Sequence, residues 1–502
     1  MSNVLKKEKA SRLLLVMPPQ LGLLGGFAAG LISLANYVSS HLPSLQVDIL
    51  DLSSVPIQSI KRHIKEKQLQ KGDFVGITTT TASYHAAIET ARELKKACPR
   101  CLVVLGGHHA SADAKTVLLS HHKIIDAIVV GEGEKSFVEL LTNYPRLSSV
   151  SGVAFLKDNR FYCNSPPPFL NQSELDELPI TFEGNGLFGT PGKFNHVTYV
   201  SARGCPLKCS FCSVGNEKMR YNSVGKVIKD IKRLVDMGFF KIAIEDNFFA
   251  HSPTRTRELC LALANLREKM QDCFTWDCQT RVESLTRKDT ISLLAKAGCE
   301  AVYIGVESFN SDHLLYLNKT SRPDKYFDQL CNDVVPALIN SPIDCYLNLQ
   351  FGLPGEKDKH DEHTIETLNK LGSLALSKGK NIAIFPQLHV VYPATAHFYS
   401  GVSRGRFPKD VFETFTKWES KQAPVLSWLG EHFAHGTGGL PEGILKPEYL
   451  AKGRYRVDPG IVLRIAATLT AIDRIPGIRN FKYGNFLVTP NMELNRKYAK
   501  AR

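Results

Sequence analysis

The stretch Ser201-Ala-Arg-Gly-Cys205-Pro-Leu-Lys-Cys209-Ser-Phe-Cys212 decides how the rest of the chain is read. It follows an apolar run, 196–200, that reads as a strand. Three thiolates spaced CxxxCxxC in one tight loop can converge on a single metal centre, and soft sulfur ligands select zinc, copper(I) or iron–sulfur clusters. Structural zinc usually takes four ligands in paired motifs, and no second pair lies nearby in the sequence. A [4Fe–4S] cluster with one iron left open fits Cys205, Cys209 and Cys212 better.

Downstream of this loop, strands and helices alternate. Strands are expected at 196–200, 241–244, 274–279, 301–306, 345–351 and 381–390, with helices at 224–237, 254–270, 288–297, 325–339 and 362–378. Six parallel βα units make a partial (β/α) barrel, in which functional residues collect at the carboxyl ends of the strands. Those ends carry Glu245-Asp246, Arg281, Glu307-Ser308, Gln350 within 348–356, and 386–395 from Pro386 to Thr395. Arg281 has two readings, a guanidinium for a carboxylate ligand or a structural salt bridge.

Upstream, roughly 10–150, the rhythm is again strand and helix, with strands at 12–17, 47–52, 74–78, 102–105 and 127–130 and helices at 30–40 and 84–97. This predicts an open, doubly wound parallel sheet with helices on both faces, whose ligands bind outside the carboxyl ends of the strands. Three polar ends fall on that edge: Thr78, Thr79, Thr80 and Ser83; Gly106, Gly107, His108 and His109; and Gly131, Glu132 and Gly133. Glycines there let a large ligand approach the backbone.

CxxxCx(aromatic)C, here with Phe211, resembles the signature of the radical S-adenosylmethionine (SAM) enzymes. The strand ends Gly305-Val-Glu307-Ser308, Phe351-Gly-Leu-Pro354-Gly355-Glu356 and Tyr392-Pro393-Ala-Thr395 are similar to segments of that family, and 10–150 resembles the cobalamin-binding domain that precedes many of its members. The resemblance implies that the open iron chelates SAM, whose reductive cleavage gives a 5′-deoxyadenosyl radical. It implies SAM contacts at Phe211, Glu245, Arg281, Glu307 and Gln350, and cobalamin contacts at the three polar ends of the first domain. No Asp-x-His-x-x-Gly occurs, so cobalt is expected to lack a histidine ligand from this chain. His108 and His109 are candidates either for cobalt or for a polar wall.

At 502 residues two or three domains are expected. We assign 1–150 to the cobalamin-binding domain, 151–195 to a linker beginning with a small hairpin, 196–400 to the radical SAM barrel and 401–502 to a carboxyl-terminal extension of capping or substrate-binding role. In the extension, 463–475 reads as an amphipathic helix, aromatic residues run from Phe412 through Trp418 to Trp428, and His432 and His435 lie in a glycine-rich stretch. The composition, 43% hydrophobic and 22% charged, is that of a soluble globular protein. A net charge of +13 is not gathered into an arm, and without a zinc-finger or RNP-like motif no nucleic-acid partner is expected. Twelve cysteines are too few for a disulfide scaffold, and three at ligand spacing argue for a reducing cytoplasm. Lys6, Lys7, Lys9 and Arg12 before the apolar 13–17, and the uncharged 21–38, imitate a signal or membrane segment, but Pro18-Pro19 and four glycines argue for strand, loop and packed helix.

The expected function is that of a cobalamin-dependent radical SAM methyltransferase. It would move a methyl group from SAM through methylcobalamin to an unactivated carbon or phosphorus of a small-molecule or peptide substrate, with an external donor such as a flavodoxin or ferredoxin. A radical SAM cyclase, oxidase or rearrangement enzyme is the alternative within the superfamily, and a non-enzymatic iron–sulfur or corrinoid-binding regulator the alternative outside it. A methylthiotransferase is disfavoured, because the first domain offers only Cys98 and Cys101, then the distant Cys163.

Overall fold

The structure is a computed structural model, and it describes residues 12–19, 29–180, 196–413 and 440–480. The chain divides into two compact units. The first comprises Met1–Leu187, Asp410–Pro424 and Val488–Arg502, and the second Phe188–Lys409 and Val425–Leu487.

In the first unit, β1 (Arg12–Met17), β2 (Gln46–Asp51), β3 (Phe74–Thr78), β4 (Leu102–Gly106) and β5 (Ala127–Val129) pair in parallel in the order β2-β1-β3-β4-β5. Leu14, Val16, Val75, Ile77, Val103 and Leu105 share one core with Tyr84, Ala87, Ala91 and Leu94 of the helix Tyr84–Ala97. Each such aliphatic side chain stabilises the fold by about 1.5–3 kcal/mol. The apolar run 13–17 that imitates a targeting segment is thus a central strand, buried except at its ends. Among the described residues no helix is long and apolar enough to cross a membrane.

The hairpin expected in the linker instead extends this sheet. β6 (Val153–Lys157) pairs antiparallel with β5, and β7 (Arg160–Cys163) with β6. Val153 and Ala154 are fully buried, so the hairpin has a core face and does not behave as a tether.

In the second unit, β8 (His196–Tyr199) is followed by the short β9 (Ala202–Arg203) and β10 (Arg220–Tyr221), which pair only with each other. Then come β11 (Lys241–Ile244), β12 (Thr275–Thr280), β13 (Cys299–Glu307), β14 (Asp344–Phe351), β15 (Ile382–Leu388) and β16 (Ile478–Asn480). The parallel order is β8-β11-β12-β13-β14-β15-β16. The six expected barrel strands are present, and the seventh comes from the carboxyl-terminal extension. Three residues with no distinct apolar period leave such a strand invisible to pattern reading. Burial alternates along β12–β15: Trp276, Cys278, Val302, Ile304, Leu347 and Ile384 are buried against helices, while the opposite face stays partly open.

The helix expected at 463–475 is present as Pro459–Ile472, started by Asp458 accepting from Gly460 N and Ile461 N. Trp418, Trp428, His432, His435 and the glycine-rich 184–192 lie outside the described residues.

Candidate active site

The cysteine loop is a closed excursion whose neck is the β9–β10 pair. At its entrance Asp246, fully buried just beyond β11, accepts from Ser201 N at 2.6 Å, Ala202 N at 2.8 Å and Ser201 Oγ at 2.5 Å. Arg255 completes the joint by donating to Ser201 O at 3.1 Å and lying over the Tyr221 ring at 4.7 Å. Burial pushes the Asp246 carboxyl up, and the Ser201 hydrogen bond and Arg255 work against that. Asp246 therefore holds the loop in place.

Inside the loop, Glu217 N donates to Cys205 O at 2.8 Å and Asn216 N to Leu207 O at 2.6 Å. Ser210, between two of the cysteines, is held from outside. Its N donates to Leu317 O at 2.9 Å, its Oγ to Tyr316 O at 2.9 Å, and its carbonyl accepts from His397 N at 3.0 Å. Because the Ser210 hydroxyl proton is spent on Tyr316, the 2.8 Å contact with His397 Nε2 must be an N–H donating to Ser210 Oγ.

Among the described residues no three His, Cys, Asp or Glu side chains gather round a single ion position. Three zinc-bound sulfurs at about 2.3 Å would have to do so. Burial pushes the Cys205 and Cys212 thiols up, Cys209 adds to this, and Lys319 opposes it. Arg281 Nη1 reaches Cys209 Sγ at 3.6 Å, a charged donor aimed at a thiol of the loop.

Of the predicted SAM residues, Arg281, Glu307 and Gln350 form a connected set through Lys319. Arg281 is nine-tenths buried and spends its remaining donors on Glu283, at 3.0 and 3.2 Å, and on Lys319 O at 2.6 Å. These contacts are those of a structural salt bridge, and they hold the guanidinium beside the cysteine loop. Glu307 ends β13 at a register shift with φ +71 and pairs with Lys319 Nζ at 2.8 Å. A Cβ on Gly305 would come within 2.7 Å of the Glu307 carboxylate and 2.8 Å of Lys319 Nζ, so only glycine lets this buried pair close. Gln350 Nε2 donates to the other Glu307 oxygen at 2.6 Å, which turns Gln350 Oε1 towards His389 Nδ1 at 2.7 Å. His389 must then carry its proton on Nδ1 and present a bare Nε2. Burial, then His397, His313 and Arg406, push its pKa down to about 3, so the ring stays neutral. Glu245 stands apart from this set, open to solvent yet hemmed in by protein, and burial then Asp246 push its carboxyl up. Phe211 is half-buried beside Cys212. Sequence reading missed Lys319 and Arg255, which sit on helical or loop segments with no motif around them.

In the first unit the carboxyl edge divides. Thr79 is fully buried and engaged, donating to Gly106 O at 2.7 Å and accepting from Ala110 N at 3.1 Å. Thr80 and Ser83 bond each other, and Thr78 is half-buried beside them. Gly107 serves a close chain crossing, since its Cβ would meet Thr79 O at 2.5 Å. His109 faces inward: it is 1% exposed, stacked on Tyr84 at 4.0 Å and edge-on to Phe412. Glu413, from the same late segment, bonds Tyr84 Oη and, at 3.1 Å, His121 Nε2. Neither His109 nor Thr79 is therefore open to a corrinoid at this edge. Gly131 has nothing within 4 Å of a Cβ position and Gly106 only Val129 O at 3.8 Å, and His108 is exposed; Glu132 and Gly133 are half-buried. This open backbone fits a bulky planar ligand, and the strand order reverses between β1 and β3 as such sites require.

The B12 binding domain model matches residues 27–141 and the Radical SAM superfamily model residues 199–368. Fold and site together define a radical SAM protein with an amino-terminal B12 binding domain. The chain is 27% identical over 385 residues to an uncharacterized methyltransferase of Pyrococcus horikoshii, covering 72% of this chain and 79% of that one. It is also 27% identical over 319 residues to an anaerobic magnesium-protoporphyrin IX monomethyl ester cyclase of Cereibacter sphaeroides, covering 58% of this chain but only 48% of that one. The fold is that of the radical SAM methyltransferase TsrM from Kitasatospora setae, solved with cobalamin and a [4Fe–4S] cluster, with TM-score 0.68 and 16% identity over 98% of this chain and 100% of that one. The chain belongs to the cobalamin-binding radical SAM enzymes; the first domain implies cobalamin, and the second a [4Fe–4S] cluster and SAM.

Proposed function

We propose that this chain is a cobalamin-dependent radical SAM methyltransferase acting on an unactivated carbon or phosphorus of a small molecule or peptide. The observation that carries the reading is one chain pairing a B12 binding domain with a Radical SAM domain that opens on a loop of three cysteines spaced CxxxCxxC. When bound, the cluster and SAM supply a hydrogen-abstracting radical, and the corrinoid supplies the methyl group. The chain's own residues do the holding. Asp246 and Arg255 fix the loop entrance, His397 and the 316–317 carbonyls fix Ser210, and Arg281 places a positive charge against Cys209. The Glu307–Lys319–Gln350–His389 set keeps charge compensated and one imidazole neutral, offering a fixed acceptor at Nε2. Cys205, Cys209 and Cys212 would hold the cluster, Phe211, Glu245, Glu307 and Gln350 would contact SAM, and Gly106, Gly131 and His108 would face cobalamin.

An external flavodoxin or ferredoxin would supply electrons, in the cytoplasm. The cyclase relative supports a second reading, in which cobalamin serves redox chemistry without methyl transfer. Anaerobic reconstitution with iron, sulfide and hydroxocobalamin, followed by SAM turnover, separates the two. Methyltransferase chemistry requires bound cobalamin together with formation of 5′-deoxyadenosine and S-adenosylhomocysteine. Production of 5′-deoxyadenosine with cobalamin bound but no S-adenosylhomocysteine would favour the alternative, and a chain that makes 5′-deoxyadenosine without binding cobalamin would sink the methyltransferase reading.

A further inference from the structure

The partly open face of the second sheet carries an acid that the proposed chemistry does not use. Asp277, in β12, is 9% exposed and has no hydrogen bond or ion pair among the described residues. Its neighbours Trp276 and Cys278 are buried on the helix side, so alternation directs Asp277 to the opposite face. It pairs in register with Ala243, two residues before Glu245, which sets it about 7 Å inside the rim. On the same face, beginning on the adjacent strand beside Gln279, two residues further along, runs an aromatic row. Tyr303 and Tyr346 are register partners whose rings stack at 4.6 Å, and Phe385 meets Tyr303 edge-on at 5.9 Å.

A nearly buried carboxylate without a partner is costly, and burial, then Glu245 and Glu300, push Asp277 up to about 7. Lys241, on the same face two residues before the register partner of Asp277, opposes this push but is bonded to Glu300 at 3.3 Å and reaches solvent. We infer that this face binds an organic cation, an ammonium group of the substrate, seated on the Tyr303–Tyr346–Phe385 wall with Asp277 as its counter-ion. Organic cations are held by aromatic faces and a carboxylate together. A hard metal ion instead takes six or more oxygens, and no three acidic or His/Cys side chains meet here among the described residues. The assignment of the cation to substrate rests on the proposed enzyme activity; the cation site itself does not.

The test uses the full chain and two probes of one shape, benzylamine and the neutral benzyl alcohol, titrated calorimetrically at about pH 8, above the value reached by Asp277. Benzylamine is expected to bind in about the millimolar range, at least about tenfold more tightly than benzyl alcohol. Asp277→Asn is expected to abolish that preference without lowering the melting temperature, since it removes an unpaired buried charge. Equal binding of both probes by the unaltered chain, no binding of benzylamine, or an undiminished preference in Asp277→Asn would overturn the inference. Iron content and SAM cleavage measured on the same preparations test the enzyme reading separately. Loss of those with cation binding intact defeats that reading alone, and the converse defeats this one alone.

Discussion

Replacing Asp246 by alanine should release the cysteine loop at its root. The carboxylate accepts two backbone N–H groups and one hydroxyl, from Ser201 and Ala202, and Ser201 is fully buried while Ala202 is 3% exposed. Neither N–H can turn to water once the acceptor is gone. Each unsatisfied buried donor costs about 1–3 kcal/mol. Relief of the carboxylate's own desolvation, visible in its upward-pushed pKa, offsets part of this. A net loss of about 3–5 kcal/mol follows, or about 6–20 °C in melting temperature for a domain of this size. Asp246→Asn keeps one acceptor and should fall between the two. The assay is thermal unfolding by circular dichroism of the full chain, paired with iron and sulfide content after anaerobic reconstitution. If Asp246→Ala melts within about a degree of the unaltered protein and loads iron fully, the loop is not held by Asp246 and the reasoning is refuted.

Three other perturbations probe separate parts of the account. Gly107 has φ +89 and a Cβ position 2.5 Å from Thr79 O. Gly107→Ala should therefore cost about 3 kcal/mol or more by chemical denaturation, and an unshifted midpoint would show that the crossing can relax. Burial raises the Glu413 carboxyl, but hydrogen bonds from His121 and Tyr84 outweigh it and leave the group below its ordinary value. Its contribution to stability is then complete above about pH 4.5 and lost as pH falls through the depressed folded value. Urea midpoints of the unaltered chain should consequently fall more steeply below about pH 4.5 than those of Glu413→Gln, and parallel curves would contradict this. His397→Ala removes the donor to Ser210 Oγ at 2.8 Å. Retention of the cluster during desalting should drop about tenfold, as for other outer-sphere partners of metal ligands, with the melting temperature of the cluster-free chain little changed; unaltered retention would leave Ser210 without need of His397.

The sheets were legible because apolar runs bounded by glycine and proline recur in both units, and the helix Tyr84–Ala97 was recoverable to the residue from its apolar spacing. The cysteine loop was legible because ligand spacing is local. What escaped was joined through space. The hairpin β6–β7 looks like a linker until β5 is seen to offer it an edge. β16 is three residues long and meets β15 across almost a hundred residues of chain. Glu413 reaches Tyr84 and His121 from about three hundred residues away in sequence, and no pattern announces such a pairing. His109 carried the right chemistry in the right segment, but Tyr84 and Phe412 bury it. Arg281 likewise stands at the expected strand end, with its donors already committed to Glu283, Lys319 and Cys209.

The central claim is that Cys205, Cys209 and Cys212 carry a [4Fe–4S] cluster whose open iron takes SAM. Electron paramagnetic resonance of the anaerobically reconstituted, reduced chain, recorded before and after adding SAM, tests it most directly. A [4Fe–4S] signal that SAM perturbs and that Cys209→Ala abolishes is expected. A signal indifferent to SAM, or one that survives Cys209→Ala, would contradict it.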